Sequence, residues 1–353
     1  MASFANVPAR LILPCALTLC SALIASAQKP STKQNTVNFD PARTKLYTQE
    51  ELMHGRDSAK GKMGWDVEVY HLYVEHGGAY ADRGIARRES LHDDSIAYAL
   101  RQYAAAIAAQ HKQIVGIMGN ALEDERCSVA YRQTAELGYE LTRAGYIVST
   151  GGGPGEMEAA NLGAYLAHYE PSSLDAAIEI FRKYAVRSAD PTMCSYASHA
   201  EYEDAAIAVL KSFPNGSDNL GVPTWFYGHE PSNAFATHVA KFFSNAIRED
   251  ALLAYANGGV IFTEGRAGLR QEIFQKLTMN DFDTTCYTSP LVFLGKKEFE
   301  RGGLYPLILD IETPYKSQPG IATTDSVKET VAFLKSHPAK RTGGTIGLCR
   351  NVP

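Results

Sequence analysis

The stretch YIVSTGGGPGEMEAANLG, residues 146–163, decides the fold of this chain. A β-branched apolar run ends at Thr150, four glycines follow within residues 151–155, and a segment rich in Ala, Glu and Met comes next. This order predicts a strand, a glycine turn and a helix. Glycines let a backbone approach a phosphate closely, and a helix N-terminus presents free N–H groups and a positive dipole end. The stretch therefore indicates an α/β protein with a phosphate-binding turn.

The glycine turn differs from two familiar nucleotide-binding patterns. No Lys-Ser/Thr pair follows the last glycine, which excludes a Walker loop, and the spacing is not that of a dinucleotide fingerprint. The alternative interpretation is a tight turn packed inside an ordinary α/β domain. Gly151, Gly152, Gly153 and Gly155 are the candidate phosphate-binding residues of this turn.

Strand and helix patterns alternate on both sides of this stretch. We predict strands at 112–120, 146–150, 258–262 and 289–295, and helices at 128–145, 235–255, 269–280 and 325–336. Residues 170–215 look irregularly helical. Such alternation predicts a Rossmann-like, doubly wound parallel sheet, with ligands outside the carboxyl ends of its strands.

The sequence pattern also predicts the domain organisation. A helical N-terminal extension precedes the first strand. We expect a signal-peptide-like segment at 1–27, a linker and helical region at 28–110, the Rossmann-like domain at 111–340 and a tail at 341–353.

Composition narrows the class of protein. The chain has 353 residues, of which 45% are hydrophobic and 21% charged, and a net charge of −5. This balance is typical of a globular protein and argues against a nucleic-acid polymer as partner. Cys127, Cys194, Cys286 and Cys349 are scattered without metal-ligand spacing, so we predict reduced thiols, no metal site and a reducing compartment.

The N-terminus has the layout of a secretory signal. Residues 1–38 contain no acid, Arg10 precedes the apolar run 11–24, and Ala-Ser-Ala follows at 25–27. The run is too short to favour a stable membrane span. The alternative is a non-essential extension of the chain.

A second glycine turn and a polar stripe complete the candidate site. FTEGRAGLRQE, residues 262–272, follows a predicted strand and ends at Glu272. On the helix predicted over 237–250, His238, Lys241, Asn245 and Arg248 are spaced 3-4-3, which gives one polar face. That face either lines the crevice between the two turns or is simply solvated.

Three stretches in this order resemble the LOG family: 135–167, GVPTWFYGHEPSNAFATHVAKFFSNAIRED at 221–250, and GGVIFTEGRAGLRQEIFQ at 258–275. These Rossmann-like proteins, once labelled lysine decarboxylases, include nucleoside 5′-monophosphate phosphoribohydrolases. The resemblance covers roughly 110–340. Because of its long insert at 165–220, the chain resembles a longer bacterial subgroup of the family. In the family motif PGGxGTxxE, Gly265, Gly268 and Glu272 match, whereas Glu264, Arg266 and Leu269 replace Pro, Gly and Thr.

The resemblance implies hydrolysis of the N-glycosidic bond of a nucleoside 5′-monophosphate to free base and ribose 5-phosphate, without a cofactor or metal. Glu272 would stabilise the oxocarbenium-like transition state, and Arg248 would hold the phosphate or the leaving base. Gly265, Arg266 and Gly268 would bind phosphate with the first turn. The resemblance also implies a homodimer in the cytoplasm, with export as the alternative. A non-catalytic mononucleotide or alarmone sensor is the competing function, which the altered 264–269 loop favours.

Two further features have open interpretations. Glu158 either faces the ribose or is an acid favoured in the first turn of a helix. Trp225, Phe226 and Tyr227 could stack on a base, but we expect at least two of them to pack in the core. His229 and Glu230 lack a second His at the spacing of a zinc motif and are expected to order a loop.

Overall fold

Strands and helices alternate from residue 114 onward, because buried apolar runs and amphipathic segments alternate in the sequence. The computed structural model describes residues 39–122, 126–186, 190, 193–227, 233–312 and 320–342. The helices are α1 (Gln49–Leu52), α2 (Trp65–Glu75), α3 (Arg83–Ala109), α4 (Val129–Arg143), α5 (Glu156–Tyr165), α6 (Ser172–Tyr184), α7 (His199–Ser212), α8 (Asn245–Tyr255), α9 (Ala267–Asp281), α10 (Lys296–Glu300), α11 (Leu304–Glu312) and α12 (Val327–Ser336). The strands are β1 (Ile114–Met118), β2 (Ile147–Thr150), β3 (Leu220–Gly221), β4 (His238–Val239), β5 (Gly259–Phe262), β6 (Tyr287–Thr288), β7 (Leu291–Leu294), β8 (Ile321–Thr324) and β9 (Lys340–Arg341).

The main sheet is parallel and doubly wound, as the sequence predicts. Within the described residues its strand order is β4-β3-β2-β1-β5-β7-β8, and every neighbouring pair is parallel. The order reverses at β1, with β2 on one side and β5 on the other. Every residue of these three strands is buried, which is expected where helices cover both faces. The carboxyl ends of β1 and β5 thus form the topological switch point.

The helical N-terminal extension packs against this sheet. Leu52, Val69 and Leu100 belong to one buried cluster with Val260 and Phe293. Asp66 on α2 accepts hydrogen bonds from Trp225 Nε1 at 2.8 Å and from Lys241 Nζ at 2.7 Å.

A second contact fixes the start of α8. Asp93 on α3 accepts the backbone N–H groups of Phe243 at 2.8 Å and Ser244 at 2.7 Å. The extension therefore positions the segment that leads into α8.

Close packing of α4 on α5 explains one glycine of the opening stretch. A Cβ at Gly163 would collide with the backbone carbonyl of Ala135. Only glycine allows the two helices this approach.

The helix predicted over 235–255 is wrong in its first half. Residues His238–Val239 form strand β4, which pairs with β3, and α8 begins only at Asn245. Lys241 is buried on Asp66 rather than placed on a polar helix face. Tertiary strand pairing overrides the local 3-4-3 spacing, so the predicted stripe does not exist.

The prediction of reduced thiols is also wrong. Cys127 and Cys194 form a disulfide across a sequence separation of 67, with Cα atoms 5.3 Å apart, and Cys286 is disulfide-bonded as well. The pairing follows from the tertiary approach of the segments before α4 and α7. The argument for a reducing compartment therefore no longer holds.

Candidate functional site

The two glycine turns lie at the same edge of the sheet. Gly151 follows the end of β2, and Thr263 follows the end of β5, with β1 between them. Thr150 is in register with Ile117, and Phe262 with Met118. The turns are therefore about 10 Å apart, the width of two strand spacings.

The first turn is buried and tightly packed. All of residues 151–155 are buried. Gly152 and Gly155 have φ values of +73° and +68°, which favour glycine. A Cβ would lie 2.7 Å from Pro223 Cδ at Gly152, and 2.7 Å from the backbone nitrogen of Leu122 at Gly155. The atoms that leave room only for glycine here belong to the protein itself. This agrees with the alternative interpretation, a tight turn packed inside the domain.

Glu156 occupies the switch point. Its carboxylate accepts hydrogen bonds from Thr263 Oγ1 at 2.7 Å, from the backbone N–H of Asn120 at 3.3 Å and from Thr134 Oγ1 at 3.4 Å. It is 3% exposed. A phosphate placed directly between the ends of β1 and β5 would therefore face a buried carboxylate.

Glu158 lies in a separate buried cluster. It accepts Nε and Nη2 of Arg126 at 2.7 and 2.6 Å, and the hydroxyls of Tyr131 and Tyr202 at 2.7 and 2.9 Å. Neither Glu158 nor Arg126 is exposed to solvent. The Arg126 guanidinium also stacks 3.2 Å from the Tyr202 ring centroid.

These contacts correct the interpretation of Glu158 as a ribose-facing residue, because both carboxylate oxygens are taken by protein donors. Sequence reasoning missed Arg126, which belongs to no motif and finds its partner only through tertiary packing.

Arg248 and Glu272 lie close together. Arg248 lies in the first turn of α8 and donates from Nε to the carbonyl of Val222 at 2.7 Å and from Nη2 to that of Gly151 at 3.1 Å. Its Nη1 lies 3.9 Å from Glu272 Oε1. The guanidinium thus connects the first turn to the helix that follows the second.

Glu249 is a residue of this cluster that the sequence analysis did not single out. Its Oε1 accepts Nη1 of Arg248 at 2.5 Å, and the residue is 4% exposed. The only sequence signal was an acid next to the candidate arginine. The three side chains together form the acid–arginine cluster: Arg248, Glu249 and Glu272.

The cluster changes the protonation of Glu272. Burial, and after it the charge of Glu249, raise the pKa of Glu272 against the opposing charge of Arg248, to about 8. The role inferred from the resemblance assumed a carboxylate, whereas at neutral pH this side chain carries a proton for much of the time.

The second turn is open to solvent. Glu264, Arg266 and Gly268 are exposed, Gly265 is half-buried, and Leu269 is buried. Arg266 has a φ of −110°, so the arginine that replaces the family glycine causes no left-handed strain. Beside the turn, Gly265, Arg270 and Arg301 line a cavity of about 200 Å³.

The aromatic residues after β3 divide between core and surface. Trp225 is 1% exposed, whereas Phe226 is 43% and Tyr227 55% exposed. The expectation that at least two pack in the core is therefore wrong. The Tyr227 hydroxyl accepts Nδ2 of Asn245 at 2.8 Å, which holds this ring beside the start of α8. His229 and Glu230 lie outside the described residues.

The described residues show neither a metal-ion cluster nor a membrane-spanning helix. Among the residues that the structure describes, no three His, Cys, Asp or Glu side chains are grouped to hold a metal ion. No helix in that part of the chain is long and apolar enough to cross a membrane.

Comparison with known proteins shows no family for this chain. No protein-family model matches the chain, and no curated protein matches it in sequence. Among solved structures, the molybdenum cofactor carrier protein of Chlamydomonas reinhardtii is similar, with 14% identity and a TM-score of 0.38. The match covers 64% of this chain and 98% of that one. A similarity of this size transfers neither a residue role nor a function. The parallel, doubly wound sheet by itself makes the chain a Rossmann-like α/β protein.

Proposed function

We propose that this protein binds a nucleoside 5′-monophosphate at the carboxyl edge of the sheet and hydrolyses its N-glycosidic bond. The observation that carries the proposal is the 3.9 Å approach of Arg248 to Glu272, with Arg248 also bonded to Gly151 of the first turn. The resemblance of residues 135–167, 221–250 and 258–275 to the LOG family supports the same reaction.

The chemistry needs one proton donor and one proton acceptor. Water forms a bond to C1′ while the C1′–N bond breaks and its electron pair leaves with the base. The base gains a proton, and the attacking water loses one, so the products are free base and ribose 5-phosphate. Glu272, with a pKa of about 8, exchanges protons readily at neutral pH, which suits such a role. A nearby carboxylate also stabilises the developing positive charge on the sugar.

Phosphate binding is best supported at the second turn. This turn is exposed, and the 15-residue helix α9 begins beside it. The free backbone N–H groups at the N-terminus of α9 and the helix dipole therefore favour an anion there. Arg266 is exposed at the same turn, and Arg270 and Arg301 line the adjacent cavity. These three cations compensate for Leu269, which replaces the family threonine, and outnumber the two nearby acids, Glu264 at the turn and Glu298 in the cavity lining. The first turn, buried against Pro223 and Leu122, contributes rigidity in this proposal.

A non-catalytic nucleotide sensor is the second candidate. It is favoured by the bonding of Arg248, whose Nε, Nη1 and Nη2 all donate to protein acceptors before any ligand arrives. An arginine held in this way holds the cluster together and has fewer donors left for a phosphate or a leaving base.

A base-release assay separates the two functions. Purified protein is incubated with AMP, GMP, CMP and UMP, and free base is measured, while calorimetry measures binding. We expect release from at least one nucleotide and loss of turnover, with binding retained, in Glu272→Gln. Asp250→Asn, an exposed carboxylate on α8 bonded to Gln275, is the matched control and should keep full activity. Binding without release from any nucleotide would exclude the hydrolase and leave the sensor.

Assembly and location also belong to the proposal. The family resemblance supports a homodimer, which sedimentation can test. It also supports a cytoplasmic location, whereas the signal-like residues 1–27 and the disulfides support export. N-terminal sequencing of the mature protein distinguishes these locations.

A further inference from the structure

The acid–arginine cluster contains more carboxyl groups than cations. Arg248, Glu249 and Glu272 meet where α8 packs on α9, with side chains only 9%, 5% and 11% exposed. Two carboxylates beside one guanidinium would leave a net negative charge in a buried place. Burying an uncompensated charge is costly, and a group in that position normally takes up a proton instead.

The hydrogen bonding of Glu249 indicates where that proton lies. Its Oε1 accepts from Arg248, but its Oε2 is buried, and no N–H or hydroxyl group of the described residues donates to it. Glu249 Oε1 and Glu272 Oε1 lie 2.5 and 3.9 Å from the same atom, Nη1 of Arg248, so the two carboxyl groups are neighbours. Ionised carboxylates only accept hydrogen bonds, so a bond between two of them requires a proton on one.

We infer that Glu249 and Glu272 share one proton, and that Glu249 thereby positions Glu272 to serve as both proton donor and proton acceptor. The role in catalysis rests on the proposed function, whereas the shared proton does not.

Among the described residues, no other charged group near Glu249 and Glu272 takes the place of Arg248. On α9, Lys276 lies one turn beyond Glu272 and donates to the carbonyl of Leu253 at 3.1 Å, and burial lowers its pKa to about 7. On α3, Asp93 accepts backbone N–H groups at the start of α8. Asp250 bonds Gln275 at the surface. Strands β1 and β6, which pack on the two helices, contain no Asp, Glu, Lys, Arg or His. Among the residues that the structure describes, Arg248 is therefore the cation that opposes the two acids.

A shared proton matches the proton balance of the proposed hydrolysis. The pair gives its proton to the departing base as the C1′–N bond breaks. The attacking water gives a proton back to the pair as the C1′–O bond forms. The pair ends with one proton, as it began, and no further reactant is needed.

The test is a titration of glutamate carboxyl groups by ¹³C NMR without nucleotide. Glu272→Gln assigns the Glu272 resonance. In the wild-type protein we expect its midpoint above pH 7. In Glu249→Gln the uncharged amide donates to the Glu272 carboxylate and leaves Arg248 free to pair with it. The midpoint should fall by at least one pH unit, a tenfold loss in proton affinity, while Asp250→Asn leaves it unchanged.

A wild-type midpoint near the ordinary glutamate value of about 4.3 would overturn the inference without any variant, as would a midpoint that Glu249→Gln leaves in place. The base-release assay then tests the positioning role. The alkaline fall in kcat should move to lower pH in Glu249→Gln by the same interval. If Glu249→Gln still releases base but the alkaline fall in its kcat stays at the wild-type pH, the positioning role is refuted. An NMR shift without release of base would refute the hydrolase and leave the shared proton standing.

Discussion

Replacing Glu158 by Gln separates a structural role from the nucleotide-binding role that the sequence left open. The side chain is buried, and its oxygens accept four hydrogen bonds from Arg126, Tyr131 and Tyr202. Gln keeps the shape but removes the charge that compensates the fully buried Arg126. Removing one partner of a buried ion pair typically costs about 3–5 kcal/mol, because the remaining charge is left uncompensated.

The expected result is therefore a loss of about 3–5 kcal/mol in the free energy of unfolding, measured by urea denaturation with the disulfides intact. Nucleotide affinity of the folded fraction should stay unchanged. The double variant Arg126→Met/Glu158→Leu removes both charges and should recover part of the loss, since no buried charge is left although the hydroxyls of Tyr131 and Tyr202 lose their acceptor. A loss below about 1 kcal/mol together with weakened nucleotide binding would refute this reasoning and restore Glu158 to the site.

Three further predictions concern stability. Burial lowers the pKa of Lys276 from 10.5 to about 7, so the unfolded chain binds a proton between these values that the folded chain does not. The free energy of unfolding should then rise with pH across that window by up to about 1.4 kcal/mol per pH unit. Urea denaturation of Lys276→Met should show no such slope, and an unaltered slope would contradict the lowered pKa of Lys276. Breaking the Cys127–Cys194 link, which closes a 67-residue separation, should cost about 4 kcal/mol, and peptide mapping without reductant should recover the linked pair rather than free thiols. Gly163→Ala should lower the melting temperature by several degrees because its Cβ meets the Ala135 carbonyl, whereas Gly268→Ala, with no atom within 4 Å, should leave it nearly unchanged.

The sequence predicted the elements that depend on short windows. The apolar runs before the two glycine turns became β2 and β5, and the segment 128–145, predicted to be helical, became α4. Strands at 112–120 and 289–295 and helices at 269–280 and 325–336 were confirmed as well. In each case the signal is the period of apolar side chains, which a strand or helix must satisfy within a few residues.

The candidate site was predicted only in part. Arg248 and Glu272 could be paired because both lie in stretches that resemble the LOG family. Glu249 had no sequence signal beyond its position next to Arg248. Arg126 and Glu156 could not be assigned, because their partners lie on other elements. The prediction of helix for residues 235–244 was wrong for the same reason, since Lys241 contacts Asp66 across a separation of 175 residues.

The sequence by itself determined a parallel α/β fold and the two turns at one edge of its sheet, because strand, turn and helix signals are local. Only the tertiary structure decided which charges are buried together and which cysteines pair. Those properties depend on desolvation and on distances between segments far apart in the chain, and the local pattern around the first glycine turn contains neither.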